Sequence, residues 1–425
     1  MLNFRVRDFW HRSLISCLLY AGSAAHADGL GNALQATLRN HPAVAGQQAQ
    51  VEAKRYVTDQ ARSQRYPTLS ARARTEGGDS IASNDDSSEP SVLRARQPVW
   101  AFGRISNNIS FANAEMSTEQ ADLLRVRREL MEHTAVAYAQ VRGSEENIDI
   151  ARQNVAEHAE LLAQIERRME GQLATSADAR LAAARLLQAR VMLERAISEW
   201  QGAQDDLMGL TQVRVTANES VPTDLLALSE SAHLLEWAME YSAEILLKEQ
   251  QVGQAEAEVE KAKTSSMPTI YLQADRFYDQ PDDRDDSQVS LVFEASLDGL
   301  GFAAKGRRGE AAAGHLAARQ DLSLAKIELK QELEHLQRKR RLQTELIELQ
   351  TMSLKDLESL LASYQRQYES GTKSWLDLLN IQRELFEQRR QLVQAHNEWV
   401  IYSLQLQARI GGLDDLADLE ELQDG

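Results

Sequence analysis

The sequence predicts a mainly α-helical protein built from two structural repeats, each with the order helix, strand, strand, long helix, helix. Three observations predict it: a duplicated pattern, pairs of alternating strands, and apolar residues seven apart in long segments without proline. Leu34 to Pro67 is matched 201 residues later by Leu235 to Pro268, and Asp178 recurs 199 residues later as Asp377. Self-similarity on this scale indicates two copies of one structural unit.

The N-terminus has the layout of a secretory signal peptide over residues 1–27. Three arginines precede an apolar run from Leu14 to Ala25, and Ala25-His26-Ala27 forms a small-residue cleavage site. Cys17, the only cysteine, lies inside this segment. Lipidation at Cys17 is the alternative, disfavoured because the apolar run would continue past the cut. The expected mature chain therefore has no disulfide and no thiolate metal ligand.

The composition favours helix and argues against nucleic acid as a partner. The chain has a net charge of −17, 26% charged residues and seven prolines. Nucleic acid and anionic lipid surfaces repel so acidic a chain. After the signal segment, no apolar run approaches the roughly 20 residues that a membrane-spanning helix needs.

The first repeat occupies residues 28–211. A helix ends before Pro67, two alternating strands flank a polar loop, and a long helix is followed by a break at Gly171–Ser176 and a return helix. In chain order the predicted bounds are 30–65 for the first helix, about 67–76 and 91–100 for the strands, 107–170 for the long helix and 177–210 for the return helix.

The second repeat, residues 232–412, follows the same order. Gly306 is aligned with Gly103 at the start of the long helix, an offset of 203 residues, and the helix breaks at Ser370–Thr372. The predicted bounds are 232–266 for the first helix, about 268–278 and 288–298 for the strands, 306–369 for the long helix and 375–410 for the return helix. Residues 212–231 are an irregular linker, and 413–425 an acidic C-terminal tail.

The element lengths predict an architecture. Each long helix spans roughly 100 Å, and the two half-length helices of its repeat match it when stacked end to end, which gives a wall of coiled coil. Strands of about nine residues cross an outer membrane when tilted by roughly 45°. Four strands cannot close a barrel, since single-chain barrels start at about eight, so the chain is expected to oligomerise. The alternative is a soluble four-stranded sheet.

The alternation of polar and apolar residues in the strands predicts a sheet with one face exposed to water. Charges on the lipid face of a barrel cost about 2–4 kcal/mol at the midplane, so four arginines are expected to face the lumen, opposite the acidic strands of the second repeat. These lumen candidates are Arg72, Arg74, Arg94 and Arg96. Aromatic residues near the strand ends suit the interfacial girdles and outer-membrane lipid; they are Tyr66, Trp100, Tyr271, Phe277 and Tyr278.

No enzyme motif is present in the sequence. The nine histidines are scattered, and there is no metalloprotease HExxH, phosphate-binding glycine loop or nucleophile elbow. Gly299-Leu300-Gly301 is interpreted as a turn after a strand, because no βαβ pattern surrounds it. We expect no catalytic residues, no cofactor and no metal.

Over essentially all of the expected mature chain, the sequence resembles the TolC-like outer-membrane efflux and secretion channel family. The resemblance rests on Asn40-His41-Pro42, on Pro67 and Pro268, on Gln97-Pro98-Val99-Trp100 followed by Gly103, and on the segment from Gly371 to Leu379. It implies a homotrimer, with a twelve-stranded barrel in the outer membrane continuing into a twelve-helix periplasmic tunnel. It also implies two partners, a periplasmic adaptor and an inner-membrane transporter.

The resemblance also implies a periplasmic entrance formed by the turns between the long and return helices. Asp377 matches an entrance aspartate of the family, Lys373 a tip position that usually holds arginine, and Asn380 a position where some members carry a second aspartate. Asp178 follows the other turn, where one more residue separates glycine from aspartate, so the two tips are expected to differ for the adaptor. The adaptor-contact candidates are Gly171, Leu173, Ser176, Gly371, Thr372 and Ser374. Independently, an aspartate at a helix start can simply favour the positive end of the helix.

The predicted function is a passive exit duct in a tripartite export system. We favour type I protein secretion, of a large adhesin, with an inner-membrane ABC transporter and a periplasmic adaptor. The alternative is the outer-membrane component of an RND-type multidrug or metal pump. More distant alternatives are a periplasmic adaptor, which generally carries one hairpin rather than two, and a cytosolic coiled-coil scaffold.

Overall fold

A computed structural model of the protein describes residues 29–73, 91–228, 231–278, 286–296 and 298–417. The predicted signal peptide with Cys17, the lumen candidate Arg74 and the part of the acidic tail after residue 417 lie outside the described residues. Helix dominates the described chain, and the strands form a single small sheet. None of the helices in these ranges combines the length and apolar character needed to cross a membrane.

The two repeats have matching elements. The first repeat comprises α1 (Leu30–Asn40), α2 (Pro42–Ser63), β1 (Thr68–Arg72), β2 (Ser91–Trp100), α3 (Arg104–Glu170) and α4 (Ser176–Thr211). After a short helix α5 (Thr223–Leu226), the second comprises α6 (Ser231–Tyr241), α7 (Ala243–Thr264), β3 (Thr269–Tyr278), β4 (Asp286–Glu294), α8 (Phe302–Glu369) and α9 (Trp375–Arg409). The leading helices have 11 and 22 residues in both repeats.

The single leading helix predicted for each repeat is wrong in one respect, because each is broken in two. His41 has an extended backbone (φ −72°, ψ 126°), since Pro42 disfavours a helical conformation in the residue before it. Pro42 is then the first residue of α2, where its missing N–H has no cost. Ser242 breaks the second repeat at the matching place (φ −61°, ψ 123°), with no proline to mark it in the sequence.

The predicted alignment of Gly306 with Gly103 is also wrong. Gly103 precedes α3 with a left-handed backbone (φ 86°), and the residue in the same conformation before α8 is Gly301 (φ 90°). The residues before them, Phe102 and Leu300, are left-handed too, at 48° and 53°. The second long helix therefore begins at Phe302, and the offset between the repeats here is 198 residues. A bulky left-handed residue costs on the order of 1–3 kcal/mol, so both repeats retain the same strained turn.

The sheet has the order β1-β2-β3-β4 with every pair antiparallel. β2 of the first repeat pairs with β3 of the second, which joins the two hairpins, and the register shifts between Pro98 and Trp100. β1 is shorter than predicted, and its outer edge and that of β4 have no partner strand within the described chain. The sheet is therefore open on both sides.

The helices pack into a long wall with its main core beside the broken leading helices. Tyr138 is fully buried there with Leu34, Leu404 and Leu413, and its hydroxyl donates to the Glu219 carbonyl (2.8 Å). Of the apolar residues seven apart on α3, Val141 and Ile148 are buried, and Val155, Leu162 and Met169, closer to the tip, are half-buried. A pair of salt bridges links the two repeats. The Arg409 guanidinium on α9 pairs with the carboxylates of Glu132 on α3 and Glu332 on α8, at 2.8 Å each.

Candidate functional site

The polar face of the sheet carries ion pairs between the two repeats. Arg94 lies between Ser70 and Asp275 in the strand register, and its Nε and Nη2 donate to the two Asp275 carboxylate oxygens at 2.8 and 3.2 Å. Asp275 is buried and also accepts from the Gln273 amide at 2.7 Å. The arginine is thus held in a two-pronged, charge-assisted contact.

A second pair spans three strands of the same face. Arg96 on β2 donates to the Glu294 carboxylate of β4 at 2.5 Å, and its guanidinium lies 4.3 Å from the centre of the Tyr271 ring on β3. Arg72 lies on the same face and is exposed. The structure therefore brings Arg94 and Arg96 opposite acidic residues of the second repeat.

The other face of the sheet is largely apolar and exposed. Its large side chains lie in register across all four strands and are 41–71% exposed: Leu69, Leu93, Leu272, Val289, Leu291 and Phe293. Arg276 is the exception, close to the loop end of β3, where its guanidinium lies over the Tyr278 ring. A continuous apolar surface of this kind marks a contact with another molecule or with lipid.

The two helical hairpins end in turns of equal length. α3 and α4 are separated by 171–175, and α8 and α9 by 370–374. The extra residue between Gly171 and Asp178 does not lengthen the first turn, because the two glycines do not correspond: Gln172 (φ 60°) has the left-handed conformation that Gly371 (φ 77°) has in the second turn. The offset between the repeats is 199 residues throughout both turns.

Asp178 and Asp377 both close a capping box at the start of a return helix. The Asp178 carboxylate accepts from the Thr175 backbone N–H (2.9 Å) and hydroxyl (2.7 Å), and Asp377 accepts the equivalent bonds from Ser374 (3.1 and 2.9 Å). These bonds hold the pKa of Asp178 below its ordinary range, the backbone bond most strongly; the pKa of Asp377 is lowered first by the Ser374 hydroxyl. Capping therefore accounts for both aspartates locally.

One contact ties the two tips together, and sequence reasoning missed it. The Trp375 indole N–H donates to the second Asp178 carboxylate oxygen at 3.1 Å, and the indole is buried. Trp375 occupies the place that Ser176 has in the first repeat, at the first position of the return helix. This difference between otherwise matching capping boxes is the signal in the sequence that could have found it.

A second contact reinforces the tie. The Arg168 guanidinium lies 3.9 Å from the centre of the Tyr368 ring and donates to the Tyr368 carbonyl at 3.2 Å. Both residues lie in the last turns of the long helices, one in each repeat. The tips of the two hairpins are thus joined within one chain by two independent polar contacts.

The remaining tip candidates are at the surface. Lys373 lies over the Tyr364 ring at 4.4 Å, Asn380 is exposed, and the Thr372 hydroxyl donates to the Gln367 carbonyl at 2.9 Å. Leu173 is 79% exposed, which is unusual for a large apolar side chain at a turn. Also at the surface are Gly171, Ser176, Gly371 and Ser374. Across the described residues, no group of three His, Cys, Asp or Glu side chains is arranged to hold a metal ion.

Solved structures share this fold over nearly the whole chain. That of CusC aligns with a TM-score of 0.79 at 16% identity, covering 90% of this chain and 91% of the other. VceC of Vibrio cholerae aligns with a TM-score of 0.75 at 17% identity, covering 90% of this chain and 96% of the other. The MtrE channel of Neisseria gonorrhoeae aligns with a TM-score of 0.75 at 16% identity, covering 90% of this chain and 88% of the other. At these identities the likeness shows the fold alone. A comparison with curated protein sequences finds no match.

The sequence model of one family matches the chain twice. The family, described as outer membrane efflux protein, matches residues 33–213 and 234–412, one segment in each repeat. Members of this family are transport channels of the outer membrane that extend into the periplasm. Because the two matches cover most of the chain, this protein belongs to the outer membrane efflux protein family.

Proposed function

We propose that three copies of this chain close into a twelve-stranded barrel that continues as a tunnel of helices and provides the exit duct of a tripartite export system. The observation that carries the proposal is the open four-stranded sheet with one ion-paired face and one exposed apolar face. Barrel strands alternate in this way between lumen and lipid. Channels of this family are generally homotrimers that work with adaptor proteins and inner-membrane transporters.

The open edges supply the physical reason for assembly. In lipid, each unpaired backbone group costs several kcal/mol, so β1 and β4 cannot remain unpaired in the membrane. Pairing β1 of one chain with β4 of the next removes every edge once the ring closes. Twelve strands follow from three chains.

Cell fractionation tests this proposal. The protein is expected in the outer membrane, migrating on gels as an oligomer that heat converts to a single chain. Recovery only from the soluble periplasm, without a heat-sensitive oligomer, would contradict it.

At the periplasmic end, the tip residues are proposed to form the entrance. Asp377, Asp178 and Lys373 narrow the pore, with Asn380 one turn along α9. The exposed turns, including Leu173 and Thr372, contact the adaptor. The physical support is their place at the far end of both hairpins together with the contacts that tie the two tips.

For the cargo, we propose a protein exported by type I secretion through an ABC transporter and an adaptor. Its support is the expected signal peptide without lipidation and the resemblance of the sequence to channels that export large adhesins. Efflux of drugs or metals with an RND pump is the second candidate, favoured by the description of the matching family. Deleting the gene separates them: a lost secreted protein with intact drug and metal tolerance supports secretion, and the reverse pattern supports efflux.

A further inference from the structure

A small cavity lies where the helices of the first repeat meet the sheet. Its volume is about 260 Å³, and its lining includes Arg65, Pro98, Val99, Trp100, Phe102 and Ile105. One cationic side chain therefore stands beside a set of apolar and aromatic ones. The cavity lies at the end of the strands that faces the helical wall.

The apolar lining continues the exposed apolar face of the sheet. Trp100 pairs with Ile270 on that face, and Val99 and Trp100 are 58% and 60% exposed. Phe102 stands edge-on to Trp100, with ring centres 6.0 Å apart and planes at 87°. The cavity therefore opens onto the exposed apolar face, and a molecule bound to that face can extend into it.

The backbone around the cavity is arranged to present these side chains. Phe102 has a left-handed backbone, which an aromatic residue rarely adopts and which brings its ring to Trp100. Arg65 is fixed from the other side, because the Gln97 side-chain amide donates to its carbonyl at 2.9 Å. Strain of this kind often accompanies a binding site.

The second repeat provides an internal comparison. At the positions that correspond to Arg65 and Trp100 its sequence has Ser266 and Asp298, so it has neither the cationic nor the aromatic residue. The turn itself is retained, with Leu300 in place of Phe102. The pairing of cation and aromatic residues therefore belongs to the first repeat and is not a by-product of the turn.

We infer that this cavity is a binding site for one phospholipid of the periplasmic leaflet of the outer membrane. The Arg65 guanidinium binds the headgroup phosphate, and one acyl chain lies along Val99 and Trp100, continuing over the apolar face of the sheet. Arginine suits phosphate because its planar fork donates two parallel hydrogen bonds. The inference rests on the proposed function, which places the sheet in the membrane and the helices in the periplasm.

Native mass spectrometry of the delipidated, detergent-solubilised protein tests the site, with phosphatidylglycerol of defined chain length as the probe. The wild-type trimer is expected to retain one lipid per chain. Arg65→Ser, which introduces the residue of the second repeat, is expected to weaken retention about tenfold, and Arg65→Lys to restore part of it. Arg55→Ser, on α2 and away from the cavity that Arg65 lines just after that helix, is the matched control and should retain lipid as the wild type does.

The possible results separate this inference from the proposed function. A trimer that retains lipid equally with Arg65→Ser, or loses it equally with Arg55→Ser, overturns the lipid site and leaves the channel intact. A wild-type protein that forms no trimer overturns the proposed function and the lipid site together. The masses in one spectrum give both the number of chains in the oligomer and the number of lipids bound to it.

Discussion

At the scale of single residues, the tips of the two helical hairpins contain the most specific side-chain hydrogen bonds of the candidate site. The two aspartates that the duplication singled out are helix caps, and one of them has an additional partner. Asp178 caps α4 with one carboxylate oxygen and accepts the Trp375 indole with the other. The sequence could predict the positions of the aspartates, because duplication marks them. It could not predict the indole contact, because that depends on how the two hairpins pack.

Replacing Trp375 with Phe is expected to loosen the closed entrance. The change keeps an aromatic ring in the buried site and removes only the N–H that reaches Asp178. The open fraction in planar bilayer recordings should rise roughly fivefold, the effect of losing one hydrogen bond. Trp399→Phe, far from the tip, is the control. Equal behaviour of the two variants would mean that the contact has no part in closure.

The Asp377→Ala change separates a pore role from a capping role. If the carboxylate faces the pore, its removal raises single-channel conductance or weakens block by cations. Ser374→Ala removes the capping partner but keeps the carboxylate, so it should leave cation block unchanged. Unchanged conductance and cation block for Asp377→Ala would show that this carboxylate does not line the entrance.

Acid should loosen the starts of both return helices. The folded-state pKa values of Asp178 and Asp377 lie below the ordinary value of 3.8, so their stabilising effect is present above that pH and is lost as pH falls through the folded values. Hydrogen exchange, corrected for intrinsic rates, should show less protection near Asp178 and Asp377 at pH 3 than at pH 6. The middle of α9 serves as the internal control. Constant protection at both helix starts would contradict the capping account.

At the scale of elements, the order and type of the helices and strands were predictable, and their exact junctions were not. The strand alternation predicted which face of the sheet is polar, and on that face Arg94 and Arg96 pair with acidic residues of the second repeat. The break at Ser242 has no proline or glycine to announce it. Residue type alone aligns Gly306 with Gly103, whereas the left-handed backbone that defines the turn before α8 belongs to Gly301.

The ion pair between β2 and β3 yields a prediction about the sheet. Arg94→Ala leaves Asp275 buried without its cation, which should cost about 2 kcal/mol, less than a fully buried pair because Arg94 is partly exposed. The temperature at which the oligomer dissociates on gels should fall. Arg94→Ala combined with Asp275→Ala should recover part of the loss. A double variant as unstable as the sum of both single changes would show that the two residues do not interact.

At the scale of the whole molecule, the duplication gives one chain a wall of helices and an open four-stranded sheet, which is one third of the proposed twelve-stranded barrel. The sequences of the two repeats differ at the tips, where Trp375 of the second repeat corresponds to Ser176 of the first. They also differ at the junction between helices and sheet, where only the first repeat has Arg65 and Trp100. Sequence length and alternation predict that the sheet cannot close alone. They do not fix the number of copies, since strand number alone requires only that at least eight strands meet.

In the proposed channel, β1 of one chain pairs with β4 of the next in a closed ring of three. Cysteine at Leu69 is combined in turn with cysteine at Val289, Leu291 and Phe293, which lie on the same face of β4. Ala95→Cys with Ala274→Cys, opposed within one chain, is the control and should give single-chain crosslinks only. Oxidation in intact outer membranes should give, for at least one combination, bands of two and three chains and none larger. Only single-chain bands from every combination, or a ladder continuing past three chains, would contradict the proposed ring of three.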